Sequence, residues 1–253
     1  MTDITVGLML TDNLPSIIGI ILGGICIAVG VHFVPVGGAP AAMAQATGIG
    51  TGTVQLAAGS GLTGLLAAGY MYMTLSTLPS GVIVEPGISQ IILICATGAV
   101  GAMIMISVTM LVGNWVYIYG VGVPPASAKK DYDPITGDSQ APYVAAGTVG
   151  QGMPTVCFVS GAMGGFLGGL GGSLIYCMLM WVNGDPAISS IFAIGVFLVN
   201  AVLPSYNIQG TIEGFHDPKF KRVPKAILAC FIASLLCGII AVMIPGAAMI
   251  GGA

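Results

Sequence analysis

Six stretches of the chain are continuously apolar, and short polar segments separate them. They run Leu14–Val34, Val54–Leu78, Ile88–Tyr119, Thr155–Val182, Ala187–Pro204 and Ala226–Ile250. Each is close to the roughly 20 residues that a helix needs to cross a hydrocarbon core about 30 Å thick. The third is longer than one crossing requires, which predicts tilt or a projecting end. The runs are continuous rather than alternating, which argues against a membrane barrel. The pattern predicts an all-α integral membrane protein, a single transmembrane domain over residues 1–253 with six spans. Loops are expected near 35–53, 120–154 and 206–224.

Composition carries the same message. Only 6% of the 253 residues are charged, 56% are hydrophobic, and the mean hydropathy is +1.00. No charged side chain lies between Asn13 and Val84. A soluble domain has about a quarter charged residues, so the surface of this chain is expected to face lipid. The first span is expected to remain as a helix. The segment before it carries Asp3 and Asp12 and no Lys or Arg, unlike a secretory signal.

The few charges predict orientation. All six basic residues fall in two segments: Lys129 and Lys130, then Lys219, Lys221, Arg222 and Lys225. With six spans, the loops after the third and fifth share one face, and basic loops face the cytoplasm. Both termini then lie outside, together with Asp3, Asp12, Glu85 and Asp185. For each lysine two roles stay open: setting topology while touching lipid headgroups, or docking partner proteins.

The chain contains an internal match. Ala39–Val54 (APAAMAQATGIGTGTV) aligns with Ala141–Val156 (APYVAAGTVGQGMPTV), and Glu85–Ile92 (EPGISQII) with Asp185–Phe192 (DPAISSIF). Both copies run in the same direction. This predicts a parallel duplication in which spans two and three correspond to spans four and five. The acid–Pro–x–Ile–Ser turn suits a helix start, because Pro lacks an N–H that is not needed there and the carboxylate faces the positive end of the helix dipole. Glu85 and Asp185, with Ser89 and Ser189 one turn in, are therefore either caps or oxygens along a cation route.

Span four carries Gly161, Gly165 and Gly169 on one ridge and Gly164, Gly168 and Gly172 on a second. Small ridges let helices approach closely in lipid. Two such ridges predict neighbours on both sides, with a subunit interface as one candidate use. Asn114 and Asn200 fit interhelical hydrogen bonding, interface solvation or ion coordination. Trp115, Tyr117 and Tyr119 suit an aromatic belt. The six cysteines (Cys26, Cys95, Cys157, Cys177, Cys230 and Cys237) lack metal spacing and read as small apolar residues. His32 and His216 are isolated and receive no role. No nucleophile–base pair, P-loop or GxGxxG is present. The loops are too short for a catalytic domain, and nothing points to nucleic acid.

The stretch from Pro79 to Asp138 (PSGVIVEPGISQIILICATGAVGAMIMISVTMLVGNWVYIYGVGVPPASAKKDYDPITGD) resembles the D-subunit family of tetrahydromethanopterin S-methyltransferase. PTVCFVSG and YNIQGTIEGFHDPKFKRVPKA are similar to the same family. The resemblance implies a multi-subunit membrane complex of methanogenic archaea. That complex moves a methyl group from methyl-tetrahydromethanopterin to coenzyme M through a corrinoid, coupled to sodium export. It also implies that the corrinoid sits on a different polypeptide, that this chain binds no cofactor of its own, and that its membrane partners are the C and E subunits. The family's ion-binding acid is expected in the E subunit, with no counterpart assigned to this chain. Two other readings stay open: a stand-alone secondary transporter, which co-purification would separate from a member of a complex, and a purely structural scaffold.

Overall fold

The computed structural model describes residues 6–35, 52–115, 119, 131–132, 137, 139, 155–208, 212 and 214–251. Lys129 and Lys130, most of the Ala39–Val54 and Ala141–Val156 match, and most of the loops expected near 35–53 and 120–154 lie outside these residues. So do the side chains of Asn114 and Cys157.

The described chain is helical. A short α1 (Val6–Asp12) leads into α2 (Leu14–Phe33), followed by α3 (Gly52–Ser76), α4 (Ile88–Trp115), α5 (Thr155–Asn183), α6 (Pro186–Ile208) and α7 (Val223–Gly251). A 3-10 turn, Pro218–Arg222, precedes α7. Isolated bridges, Thr77–Ile83 and Tyr132–Ser139, are the extended pairing among the described residues.

Five helices, α2, α4, α5, α6 and α7, are long and apolar enough to cross a membrane, which makes this a multi-pass membrane protein. The sixth expected span, α3, is 25 residues long but is not among those five. Gly59, Ser60, Gly61, Thr63, Gly64, Tyr70, Tyr72 and Thr74 dilute its apolar character. At 29 residues each, α5 and α7 extend about 43 Å, more than the hydrocarbon core requires.

The outer surface agrees with lipid as the medium. Leu228, Ile232, Leu236 and Ile240 line one face of α7 at a spacing of four and are all more than half exposed. Ile88 and Ile92 on α4 are exposed at 78% and 65%. Apolar ridges of that length are not tolerated on a monomer in water.

Helix α5 is the axis of the bundle. It packs against α2, α3, α4 and α6, while α7 closes the far side against α2 and α6. Glycine sets this arrangement. A Cβ on Gly165 would collide with Ile106, and one on Gly169 would stand 2.5 Å from the Gly98 carbonyl, so the first ridge holds α4. A Cβ on Gly164 would stand 2.6 Å from the Gly30 carbonyl, and one on Gly171 would run into the Gly23 carbonyl, so another face holds α2. Gly172 accommodates Phe197 of α6. The small faces of α5 are thus used within the chain. The buried core, including Ile20, Ile27, Tyr72, Ile94, Ile175, Leu179 and Phe197, fills the layer around them.

Helix α6 runs past the expected end at Pro204 and continues to Ile208. Proline inside a helix leaves the carbonyl four residues earlier without its N–H partner. Here that carbonyl belongs to Asn200, and the Cys230 thiol of α7 donates to it at 3.5 Å. The helix continues because a neighbour supplies what Pro204 removed. The loop expected over 206–224 is correspondingly shorter and includes the 3-10 turn.

Candidate functional site

The end of the bundle where α3 and α5 finish and α4 and α6 begin carries the acids singled out in the sequence. A two-residue connection joins α5 to α6. Gly184 takes φ +66°, where glycine carries no Cβ penalty. Asp185 then accepts from the Ala187 and Ile188 amides through Oδ1, at 2.8 and 2.9 Å. It is a side-chain N-cap of α6.

Glu85 does not do the same. Helix α4 begins two residues later in the motif, at Ile88, and the Gly87 amide donates to Gln90 Oε1 at 2.8 Å. The difference is one residue. Ala187 is a strong helix former and joins α6 with Pro186, whereas Gly87 costs about 1 kcal/mol in a helix and stays outside. Pro86 and Gly87 therefore precede α4, and Glu85 stands clear of its first turn. The Glu85, Asp185 and Ser89 residues are exposed. Ser189 is fully buried, and its hydroxyl has no hydrogen-bond partner among the described residues. Ser76, at the end of α3, is also buried with an unpartnered hydroxyl. Tyr72 and Tyr176 meet edge-to-face at this end, with centroids 5.7 Å apart.

Halfway along the bundle, α2, α6 and α7 meet at a polar node. Ser234 Oγ donates to Asn200 Oδ1 at 2.9 Å, and Asn200 Nδ2 donates to the Val196 carbonyl at 2.8 Å. Both side chains are fully buried. Gly24 faces them, and a Cβ there would run into the Ser234 hydroxyl. The node is an interhelical hydrogen-bond set, one of the roles open to Asn200 from its sequence alone.

The opposite end brings the basic segment together with His32, Ser160 and Asn207, to which the sequence attached no role. His32 is fully buried. Its Nδ1 lies 2.8 Å from the Ala28 carbonyl and its Nε2 lies 3.3 Å from Asn207 Nδ2. This pair of contacts assigns the proton to Nδ1, with Nε2 accepting from the amide. Asn207 Nδ2 also donates to the Arg222 carbonyl at 2.8 Å, while Arg222 Nη1 donates to the carbonyls of Asn207 and Ile208 at 3.0 and 3.2 Å. A guanidinium thus satisfies carbonyls left open at the C-terminus of α6, where a cation is also favoured by the helix dipole.

Ser160 of α5 donates to the Phe33 carbonyl at 2.6 Å and accepts from the Phe215 amide at 3.0 Å. Phe220 stacks edge-on to Phe33 at 4.8 Å. Asp217 is buried and accepts from the Lys219 amide at 2.9 Å. The segment carrying Lys219, Lys221, Arg222 and Lys225 is therefore tied to α2, α5 and α6 rather than hanging from the bundle. No sequence signal flagged His32, Ser160 or Asn207, because each acts through a carbonyl or amide that packing brings to it.

Among the described residues no group of three or more His, Cys, Asp or Glu side chains could hold a metal ion. The described cysteines, Cys26, Cys95, Cys177, Cys230 and Cys237, are free thiols. The described acids Glu85 and Asp185 and the described cations Lys219, Lys221, Arg222 and Lys225 lie at opposite ends of the helices, joined by an interior whose main polar feature is the node.

Comparison with known proteins agrees with the resemblance carried by the sequence. Residues 13–234 match the profile of the tetrahydromethanopterin S-methyltransferase D subunit. The chain is 56% identical to the D subunit of that enzyme from Methanosarcina mazei, over 95% of this chain and 97% of the relative. It is 54% identical to the D subunit from Methanothermobacter marburgensis, over 92% and 97%. Identity to the relative from Methanocaldococcus jannaschii is 54% over 88% and 93%. A match of this extent and identity places the chain in the D-subunit family of tetrahydromethanopterin S-methyltransferase.

Proposed function

We propose that this chain is a non-catalytic membrane component of a complex that transfers a methyl group from methyl-tetrahydromethanopterin to coenzyme M in methanogenesis, coupled to sodium export. The observation that carries the reading is identity above half to relatives named as the D subunit of that methyltransferase, over nearly the whole chain. On this reading the corrinoid and the methyl-transfer steps belong to other polypeptides of the complex. The C and E membrane subunits and the corrinoid-bearing subunit are the partners.

The six long helices, α3 included, serve as spans. The hairpins α3–α4 and α5–α6 are copies of one duplicated unit, and each opens its second helix on the acid–Pro–x–Ile–Ser turn. The basic end faces the cytoplasm and the termini face outside. Carboxylate and hydroxyl oxygens suit a hard cation. Glu85 and Asp185 form the outer mouth of a sodium path, with Ser89 beside them and the buried Ser189 hydroxyl as the first interior oxygen. One charge moved through 100 mV involves about 2.3 kcal/mol, so such a path must be gated.

Two measurements test this reading. Gentle detergent purification of the tagged chain from its host yields corrinoid and partner subunits; recovery of the chain alone or as a homo-oligomer would favour a stand-alone transporter. Glu85→Gln with Asp185→Asn, assayed in sodium-loaded vesicles, lowers sodium-dependent methyl transfer. Asn is itself a good N-cap, so the paired variant removes charge while keeping α6 intact. Unchanged transfer would remove these residues from any ion route.

A further inference from the structure

The last two turns of α6, the end of the 3-10 turn and the first two turns of α7 border an open cleft of about 580 Å³. Leu203, Tyr206 and Asn207 form one wall, and Arg222, Lys225, Ala226 and Ala229 the other. Three hydrogen bonds fix the walls against each other: Asn207 to the Arg222 carbonyl, and Arg222 to the carbonyls of Asn207 and Ile208. The cleft is therefore built before any ligand arrives. Two of its lining side chains are cationic and none is acidic. Lys225 is exposed, and Tyr206 is 62% exposed.

Position decides which anion fits. The lining residues end one apolar helix and begin another, so the cleft opens where hydrocarbon gives way to headgroups. Its chemistry is graded along the helices. Leu203, Ala226 and Ala229 lie toward the apolar interior, and Tyr206, Arg222 and Lys225 lie toward water. A soluble anion would use only the polar half. Basic pockets between helix ends are a recurring lipid-headgroup site, and a tyrosine at this depth supplies an apolar ring with a polar tip.

We infer that this cleft binds the phosphate of an anionic membrane lipid, with Lys225 and Tyr206 on the headgroup, Arg222 as fixed positive charge beneath it, and the first part of an acyl or isoprenoid chain against Leu203, Ala226 and Ala229. The site depends on the membrane-spanning fold and not on sodium coupling. Failure of one leaves the other standing.

Native mass spectrometry of the full-length chain in detergent tests it, with phosphatidylglycerol and phosphatidylcholine of identical chains as probes. The wild type retains phosphatidylglycerol in preference. Lys225→Ala lowers that preference about fivefold, as expected for one cation near a headgroup, while Lys225→Arg keeps it. Tyr206→Phe lowers it about threefold through one lost hydrogen bond. Lys221→Ala is the control, because Lys221 is exposed on the same segment but does not line the cleft; it leaves the preference unchanged. Equal losses from Lys221→Ala and Lys225→Ala would mean diffuse surface attraction and would overturn the inference. So would displacement of the lipid by millimolar inorganic phosphate or glycerol 3-phosphate, which would make this a free-anion site. No lipid preference in the wild type, with Lys225→Glu instead releasing a soluble partner from the assembled complex, would assign the cleft to protein docking and equally overturn it.

Discussion

A single thiol shows how residue-scale chemistry supports this fold. Asn200 sits one turn before Pro204, and its carbonyl has lost its helical donor. Cys230 replaces that donor from another helix. In lipid no water can take over the bond, so an unsatisfied carbonyl costs more than on a soluble protein's surface. Cys230→Ala should therefore destabilise the chain by about 1 kcal/mol, while Cys230→Ser, which retains a donor, should stay near wild type. Reversible unfolding in mixed micelles checks this, and equal midpoints for the Ala and Ser variants would contradict it. The same scale explains why Glu85 and Asp185 differ. The two motifs look alike as strings, but Gly87 and Ala187 place the helix start on different sides of the proline. Helix-start chemistry was legible in the strings; which acid reaches the amides depended on a small shift in helix onset.

At the scale of elements, glycine decides which helices touch. The ridges of α5 were visible as a pattern, and close packing followed from residue size alone. Their partners were not visible, because a string does not say which of several apolar helices faces a groove. In the folded chain the grooves receive α2, α4 and α6, so the small-residue faces of α5 are occupied from within. Gly171 and Gly195 give a controlled comparison. A Cβ at Gly171 meets the Gly23 backbone, which cannot yield as a flexible side chain would, whereas one at Gly195 meets open space. Gly171→Ala should cost about 2 kcal/mol through overpacking. Gly195→Ala should be neutral or stabilising by up to about 1 kcal/mol from helix propensity. Thermal unfolding of the two purified variants measures the difference, and similar losses in both would show that the α2–α5 contact is not limiting.

Across the whole molecule, charge and helix direction are coupled. Neighbouring helices such as α2 and α5 pack with opposite directions, so Phe33 of α2 meets Ser160 at the start of α5, while Met178 near the end of α5 reaches Gly19 early in α2. This separates Glu85 and Asp185 from Lys219–Lys225 by the length of the bundle. A membrane-impermeant maleimide should label Glu85→Cys in right-side-out vesicles and Lys221→Cys in inverted ones. The native cysteines at 95, 177 and 230 are buried and should add little background. Labelling of both from the same side would break the alternation of α4, α5 and α6 across the membrane.

Composition and local strings were enough to set the solvent, the rough limits of the long apolar helices, the segments to which charge is confined and the family. Packing settled the rest: that α5 is the axis, that Asp185 caps while Glu85 does not, that Ser189 is buried, and that His32, Asn207 and Arg222 form one hydrogen-bonded set. Those outcomes depend on which backbone carbonyls and amides come within about 3 Å of a side chain once the helices pack, and residues far apart in the chain carry no local mark of that meeting.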